Sequence, residues 1–131
     1  EKTDTECERL VDRYFEKLVA LAVSELCEIA AHPDLIERNP QLRGDATDDH
    51  YERAAAAFAD SRTIPEINAG RVTREYGSFH PTTAFRDTLH AAGVSFTLGT
   101  DSHDPDEIEP RADALRTLRD ESAIDPVVVA D

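Results

Sequence analysis

From Glu6 to about Glu25, apolar side chains return at three- and four-residue steps: Leu10, Val11, Tyr14, Phe15, Leu18, Ala22 and Leu26. That period is one face of an α-helix and predicts a helix over this stretch. Glu28 to Ala31 predicts a short strand, ended by His32-Pro33. The segment from Asn39 to Asp45, with Pro40 and Gly44, reads as a loop. Thr47 is placed to cap a helix running to about Ala59 through four consecutive alanines and Phe58. Thr63 to Asn68 reads as a second strand, stopped by Ala69-Gly70, and a second loop follows from Arg71 to His80. Pro81 suits the first turn of the next helix and Gly93 its C-terminal cap. Val94 to Leu98 is the clearest strand, with β-branched and aromatic residues bounded by glycines. In Asp104-Pro105-Asp106-Glu107 the first residue caps a helix, the proline opens it and Glu107 completes a capping box. Ile108, Ala112, Leu115 and Leu118 supply its apolar stripe, and Pro126 to Ala130 suggests a last strand.

The order of elements is therefore α-β-α-β-α-β-α, with a final β. Helices alternating with strands place the chain in the α/β class, with parallel strands joined by right-handed crossovers. No repeat or composition break divides residues 1–131, which read as a single domain. A chain of 131 residues, 40% hydrophobic, suffices for one core, whereas a closed (βα) barrel takes about 250 residues. The loops after the first two strands exceed what a minimal connection needs, which is the usual mark of a site.

Charge narrows the partners. Acidic residues outnumber basic ones by 28 to 14, for a formal net charge of -14. A field of that sign repels phosphate backbones and anionic membranes, so neither nucleic acid nor a membrane is expected. Apart from Lys2 and Lys17, the basic residues are arginines. The acids are dispersed, as on a solvated surface suited to high salt. Cys7 and Cys27 match no zinc or disulfide framework. Cys27, within Leu26-Cys27-Glu28-Ile29, reads as a buried thiol, and a reducing, cytoplasmic setting follows as the expectation. No apolar run approaches transmembrane length, and the first residues do not form a signal peptide.

Candidate chemistry collects at the carboxyl ends of the predicted strands, where parallel α/β folds place their functional groups. The first ends in Ala31-His32-Pro33-Asp34, the second in Glu66-Ile67-Asn68 and the third in Thr100-Asp101-Ser102-His103-Asp104. If the chain stays extended through Asp101 and His103, both side chains point one way, toward His32 on a neighbouring strand tip. Carboxylate and imidazole donors suit zinc, manganese or iron, and a water on such an ion ionises near neutral pH. Blander roles compete: Asp101 capping a turn with His103 in solvent, Asp34 bonding to backbone, Glu66 accepting backbone hydrogen bonds, Asn68 shaping the turn before Gly70. Arg71 and Arg74 are placed to hold a substrate phosphate. His80 either joins them or caps the following helix. His50, beside Asp48 and Asp49, is expected on the surface, and His90 complements a helix end. No dinucleotide-binding glycine motif, Walker loop or nucleophile elbow is present.

Three segments in this order, Ala31-His32-Pro33-Asp34-Leu35-Ile36, Pro65-Glu66-Ile67-Asn68-Ala69-Gly70 and Thr97-Leu98-Gly99-Thr100-Asp101-Ser102-His103, resemble the PHP (polymerase and histidinol phosphatase) superfamily, and its histidinol-phosphatase branch most. The resemblance runs from about Tyr14 to Leu118. It implies a distorted (βα)7 barrel with two or three divalent metal ions at its carboxyl face, and hydrolysis of a small phosphate monoester by metal-activated water. It also implies His32, Asp101 and His103 as metal ligands, with Asp101 and His103 as the catalytic pair. Glu66 matches a recurring position without a ligand role, and His80-Pro81-Thr82 stands where relatives often have Tyr-Pro-Ser. The family's opening His-x-His pair has no counterpart before His32. The expectation is thus a partial (βα) barrel of the PHP type without its N-terminal metal-binding half. Such a half-barrel would form a homo-oligomer or pair with the missing half to cover open strand edges. The alternatives are a non-catalytic PHP remnant holding at most one ion, and a PHP nuclease or editing module, which the acidity disfavours.

Overall fold

A computed structural model describes residues 3–129. Helix α1, Asp4–Ser24, opens on Thr3, whose hydroxyl accepts from the Glu6 N–H while the Glu6 carboxylate accepts from the Thr3 N–H. These reciprocal bonds satisfy two donors that the first turn leaves without intrahelical partners. Val11, Phe15, Leu18 and Ala22 bury the inner face of α1. Leu26, expected on that face, is 86% exposed, because α1 ends in a left-handed cap at Glu25 and the chain turns away. Cys27 follows it outward and is exposed, against the expectation that it is buried; Cys7 is the buried thiol.

Strand β1 is only Ile29–Ala30 and leads into a 3-10 turn, Leu35–Arg38. Helix α2, Asp48–Ala59, is capped by Thr47 as expected. His50 is not on the surface. It is buried, with Nδ1 accepting from the Thr47 N–H at 3.0 Å and Nε2 donating to Asp12 of α1 at 2.7 Å. Strand β2 is Ile64–Asn68 and helix α3 is Thr83–Ala91. Thr82, not His80, caps α3, its hydroxyl accepting from the Phe85 N–H, so Pro81 precedes the helix instead of opening it; Gly93 follows the helix at φ 81, as a C-terminal glycine should.

Strand β3 is Thr97–Gly99, shorter than the apolar run from Val94 suggests. The Val94 N–H turns back to the Leu89 carbonyl, and the Phe96 carbonyl accepts from Val127 at 2.8 Å, so pairing with β2 starts only at Thr97. Residues 126–129 form no strand, and Ala130 lies outside the described residues. Helix α4, Pro105–Glu121, is capped by Asp104 and opened by Pro105 as expected. Glu107 forms no capping box with Asp104; its carboxylate accepts instead from the His103 N–H, Arg74 and Arg111. Arg111 and Leu115 are the buried residues of α4, whereas Ile108 is 51% exposed.

The sheet is parallel with order β1-β2-β3, and the register pairs Ile29 with Ile64 and Ile67 with Leu98. This is an α/β arrangement of four helices with a three-stranded parallel sheet. Helix α1 packs on α2 and α2 on α3. An aromatic cluster joins them: Tyr51 stacks on Phe85 at 4.9 Å, and Phe15 lies 5.8 Å from Phe85. Among the described residues no helix is long and apolar enough to cross a membrane.

Candidate active site at the strand ends

Strand β2 lies between the strands that bear His32 and Asp101, so the two tips are not neighbours in the sheet. Glu66 spans the gap. Its Oε1 accepts from the His32 N–H at 3.2 Å and from Asn68 Nδ2 at 2.8 Å. Its Oε2 lies over Gly99, where any Cβ would collide with it. Glu66 thus holds backbone, the structural role that the sequence allowed. Asn68 also shapes the turn, its Oδ1 accepting from the Gly70 N–H at 2.8 Å.

His32 and Asp101 both adopt left-handed backbone, at φ 30 and φ 50. Non-glycine residues enter this region at a cost of about 1–3 kcal/mol each, and such strain gathers at functional sites. At His32 the turn is pinned by Tyr14, whose hydroxyl donates to the Pro33 carbonyl at 2.6 Å and accepts from the Leu35 N–H at 3.0 Å. Burial, with Asp34 nearby, pushes the Tyr14 hydroxyl well above its ordinary pKa. At Asp101 the backbone carbonyl accepts from the buried Arg111 at 2.8 Å and from His103 Nδ1 at 3.0 Å.

The left-handed residue ends the extended chain before His103, so the condition on which the two side chains were expected to point one way is not met. His103 is exposed, tied to Asp101 through backbone. The Asp101 carboxylate faces Gly70 and Arg38, with Arg38 Nη2 at 3.8 Å from Oδ2. Among the described residues no three His, Cys, Asp or Glu side chains come together as a group able to hold a metal ion. Gly70 fits this corner tightly, since an added Cβ would sit 2.7 Å from Asp101 Oδ2 and 2.8 Å from Asn68 Oδ1. Gly70→Ala is therefore expected to displace the Asp101 side chain and to destabilise by about 1–3 kcal/mol, as overpacking does. Urea unfolding with amide chemical shifts around Asp101 checks it; unchanged shifts there would refute the crowding.

Arg38, the neighbour of Asp101, also lines a cavity of about 290 Å³, whose wall includes Arg43, Arg71, Arg74 and Tyr76 together with one carboxylate, Glu75. Larger depressions of about 520–580 Å³ run along α1 and α2, away from the strand ends. Four of the fourteen basic residues of an acidic chain thus meet on two loops. The Arg43 guanidinium is held by the Glu37 carbonyl at 2.8 Å and lies 4.9 Å over the Tyr76 ring. Arg74 donates to Glu107 at 2.7 Å. Burial, then the charge of Arg71, pulls the pKa of Arg38 below its ordinary value. Arg38 and Arg71 repel each other at this cavity, with Arg74 paired to Glu107, and an anion between them would relieve the repulsion and take their donors. Sequence reasoning found Arg71 and Arg74, which follow a strand end, and missed Arg38 and Arg43. Those two come from the turn after β1, and no local signal marks them.

His80 is fully buried and meets the cavity wall from behind, through Arg38 and the stacked Tyr76 ring. Its Nδ1 is 2.6 Å from Asp34 Oδ1, and its backbone pairs with Asn68 in an antiparallel bridge. His90 is exposed in the last turn of α3.

Compared with known proteins, the sequence matches no family model and no curated protein at a significant level.

Proposed function

We propose that this cavity binds the phosphate of a small phosphate monoester, and that the chain contributes to a metal-dependent phosphoesterase of the PHP, histidinol-phosphatase-like kind. The observation behind the reading is the set of four arginines from two loops around one cavity at the carboxyl edge of a parallel sheet, one of which, Arg38, lies 3.8 Å from Asp101. Guanidinium groups recognise phosphate through forked, charge-assisted hydrogen bonds. The three segments that resemble the PHP superfamily bear the His32, Glu66 and Asp101 corner of the same edge.

The metal part of the proposal needs more than these residues. His32 and Asp101 stand on strands separated by β2, and Asp101 faces a cation. As placed, they do not fit a closed shell for zinc, manganese or iron, and no hydrolytic step follows from them alone. In the proposal, further donors come from a second copy of the chain or from a companion segment supplying the family's N-terminal ligands. A second reading is a PHP-like remnant that binds phosphate without turning it over; the pairing of Asp101 with the Arg38 cation favours it.

Calorimetric titration with inorganic phosphate tests the binding. Arg71→Ala is expected to weaken phosphate by about 10–100-fold, the worth of hydrogen bonds to a charged group. Arg74→Ala is expected to do less, because Glu107 already engages that guanidinium. Absence of saturable binding by the wild type, or an Arg71→Ala variant that binds as well, refutes the reading. Phosphate release from histidinol phosphate with added zinc, manganese or iron then separates the two versions: metal-dependent turnover, lost in Asp101→Asn, supports the enzyme, and binding without turnover supports the remnant.

A further inference from the structure

We infer that His80 is a positioning residue: Asp34 holds it as the neutral Nδ1–H tautomer, and its bare Nε2 fixes the guanidinium of Arg38 at the cavity wall. The inference rests on the proposed phosphate reading only for what the positioned arginine does.

The order of donors and acceptors leads to it. Asp34 is 1% exposed and His80 0% exposed. Asp34 Oδ2 accepts from the Thr82 N–H at 2.7 Å, and Oδ1 lies 2.6 Å from His80 Nδ1. An ionised carboxylate only accepts, so the proton of this bond sits on Nδ1. On the far side of the ring, Arg38 Nε lies 3.2 Å from His80 Nε2. A guanidinium only donates, so Nε2 must present its lone pair. One tautomer satisfies both ends, and either the other tautomer or an imidazolium would set two donors against each other. The Tyr76 ring lies parallel to the imidazole, 4.8 Å away, and keeps it in plane.

What is held in place is a donor with nothing to donate to. Arg38 Nη2 is buried and makes no hydrogen bond; its nearest counter-charge, Asp101 Oδ2, is 3.8 Å away. Buried donors are nearly always paired, and one left bare next to a cavity is a place for a ligand oxygen. Asp34 and His80 thus orient Arg38 much as the outer partners of a catalytic or metal-binding histidine orient its ring.

Nitrogen-15 NMR of the full chain, with inorganic phosphate as the probe ligand, tests this. The wild type is expected to show His80 as Nδ1–H and an Arg38 Nε–H protected from exchange. His80→Gln keeps an acceptor for Arg38 and a donor for Asp34, and should preserve that protection and bind phosphate within about threefold of wild type. His80→Leu should lose the protection and bind at least about tenfold more weakly. Asp34→Asn reverses the bond at Nδ1, pushes the proton to Nε2 and should release Arg38 while leaving the packing volume unchanged. An Nε2–H tautomer in the wild type, or a protected Arg38 in folded His80→Leu, overturns the inference. Loss of phosphate binding by the wild type, with tautomer and protection as expected, overturns the phosphate reading alone.

Discussion

Asp34→Ala is expected to lower the free energy of unfolding by about 2–6 kcal/mol. Asp34 is 1% exposed and answers two donors, the Nδ1–H of His80 and the backbone N–H of Thr82. Alanine leaves the buried His80 donor and the partly buried Thr82 N–H without acceptors, at about 1–3 kcal/mol each. Against a total stability of about 5–15 kcal/mol for a domain, that is a large fraction. The loss extends beyond the site, because Thr82 caps α3 and Asp34 anchors that cap from the turn after β1. Urea unfolding monitored by circular dichroism measures the change. Asp113→Ala, which removes an exposed pair with Arg116, serves as a control and should shift the midpoint little. If Asp34→Ala moves the midpoint no more than the control does, the buried acceptor is not the link described here.

Phe85→Ala is expected to cost about 3–5 kcal/mol, the range for truncating a buried phenylalanine. Phe85 is fully buried, stacks on Tyr51 at 4.9 Å with 15° between the rings, and sits 5.8 Å from Phe15. Those three rings belong to α3, α2 and α1, so the cavity left behind opens where all three helices meet. The surrounding backbone is helical and relaxes little into such a void, which puts the cost in the upper part of the mutational range. The same unfolding measurement checks it, and a loss below about 1 kcal/mol would show that the cluster is loosely packed. Phosphate titration of the folded fraction adds a functional readout: the arginines lie on loops, so affinity should fall far less than stability.

The candidate site was legible in part. His32, Glu66, Asn68 and Asp101 were placed at strand ends by reading where apolar runs stop, and all four lie at the carboxyl edge of the sheet. Their relations were not legible. Taking the strands of His32 and Asp101 as neighbours ignored β2, and extending the chain from Asp101 to His103 missed a left-handed residue held from a distance by Arg111. In the sequence, Asp34 reads as a turn residue bonding to backbone. It does so, but the backbone is that of Thr82, and its second partner is a histidine 46 residues away.

What the amino-acid order determined by itself is the set of features settled within a few residues. Thr47 and Asp104 cap their helices, Gly93 follows one, and the alternation of helices and strands is α/β, because the donors and acceptors involved lie within about four positions of each other. Tertiary structure decided which face Cys27 took, that His50 would be buried against Asp12, and that Arg38 and Arg43 would join Arg71 and Arg74 around one cavity. Those outcomes depend on groups far apart in the chain, such as His50 and Asp12, 38 residues apart, as do the links of His32 with Glu66 and Asp34 with His80. Only folding brings such groups within hydrogen-bond distance, since a hydrogen bond acts over about 3 Å and local sequence has no means to specify its remote partner.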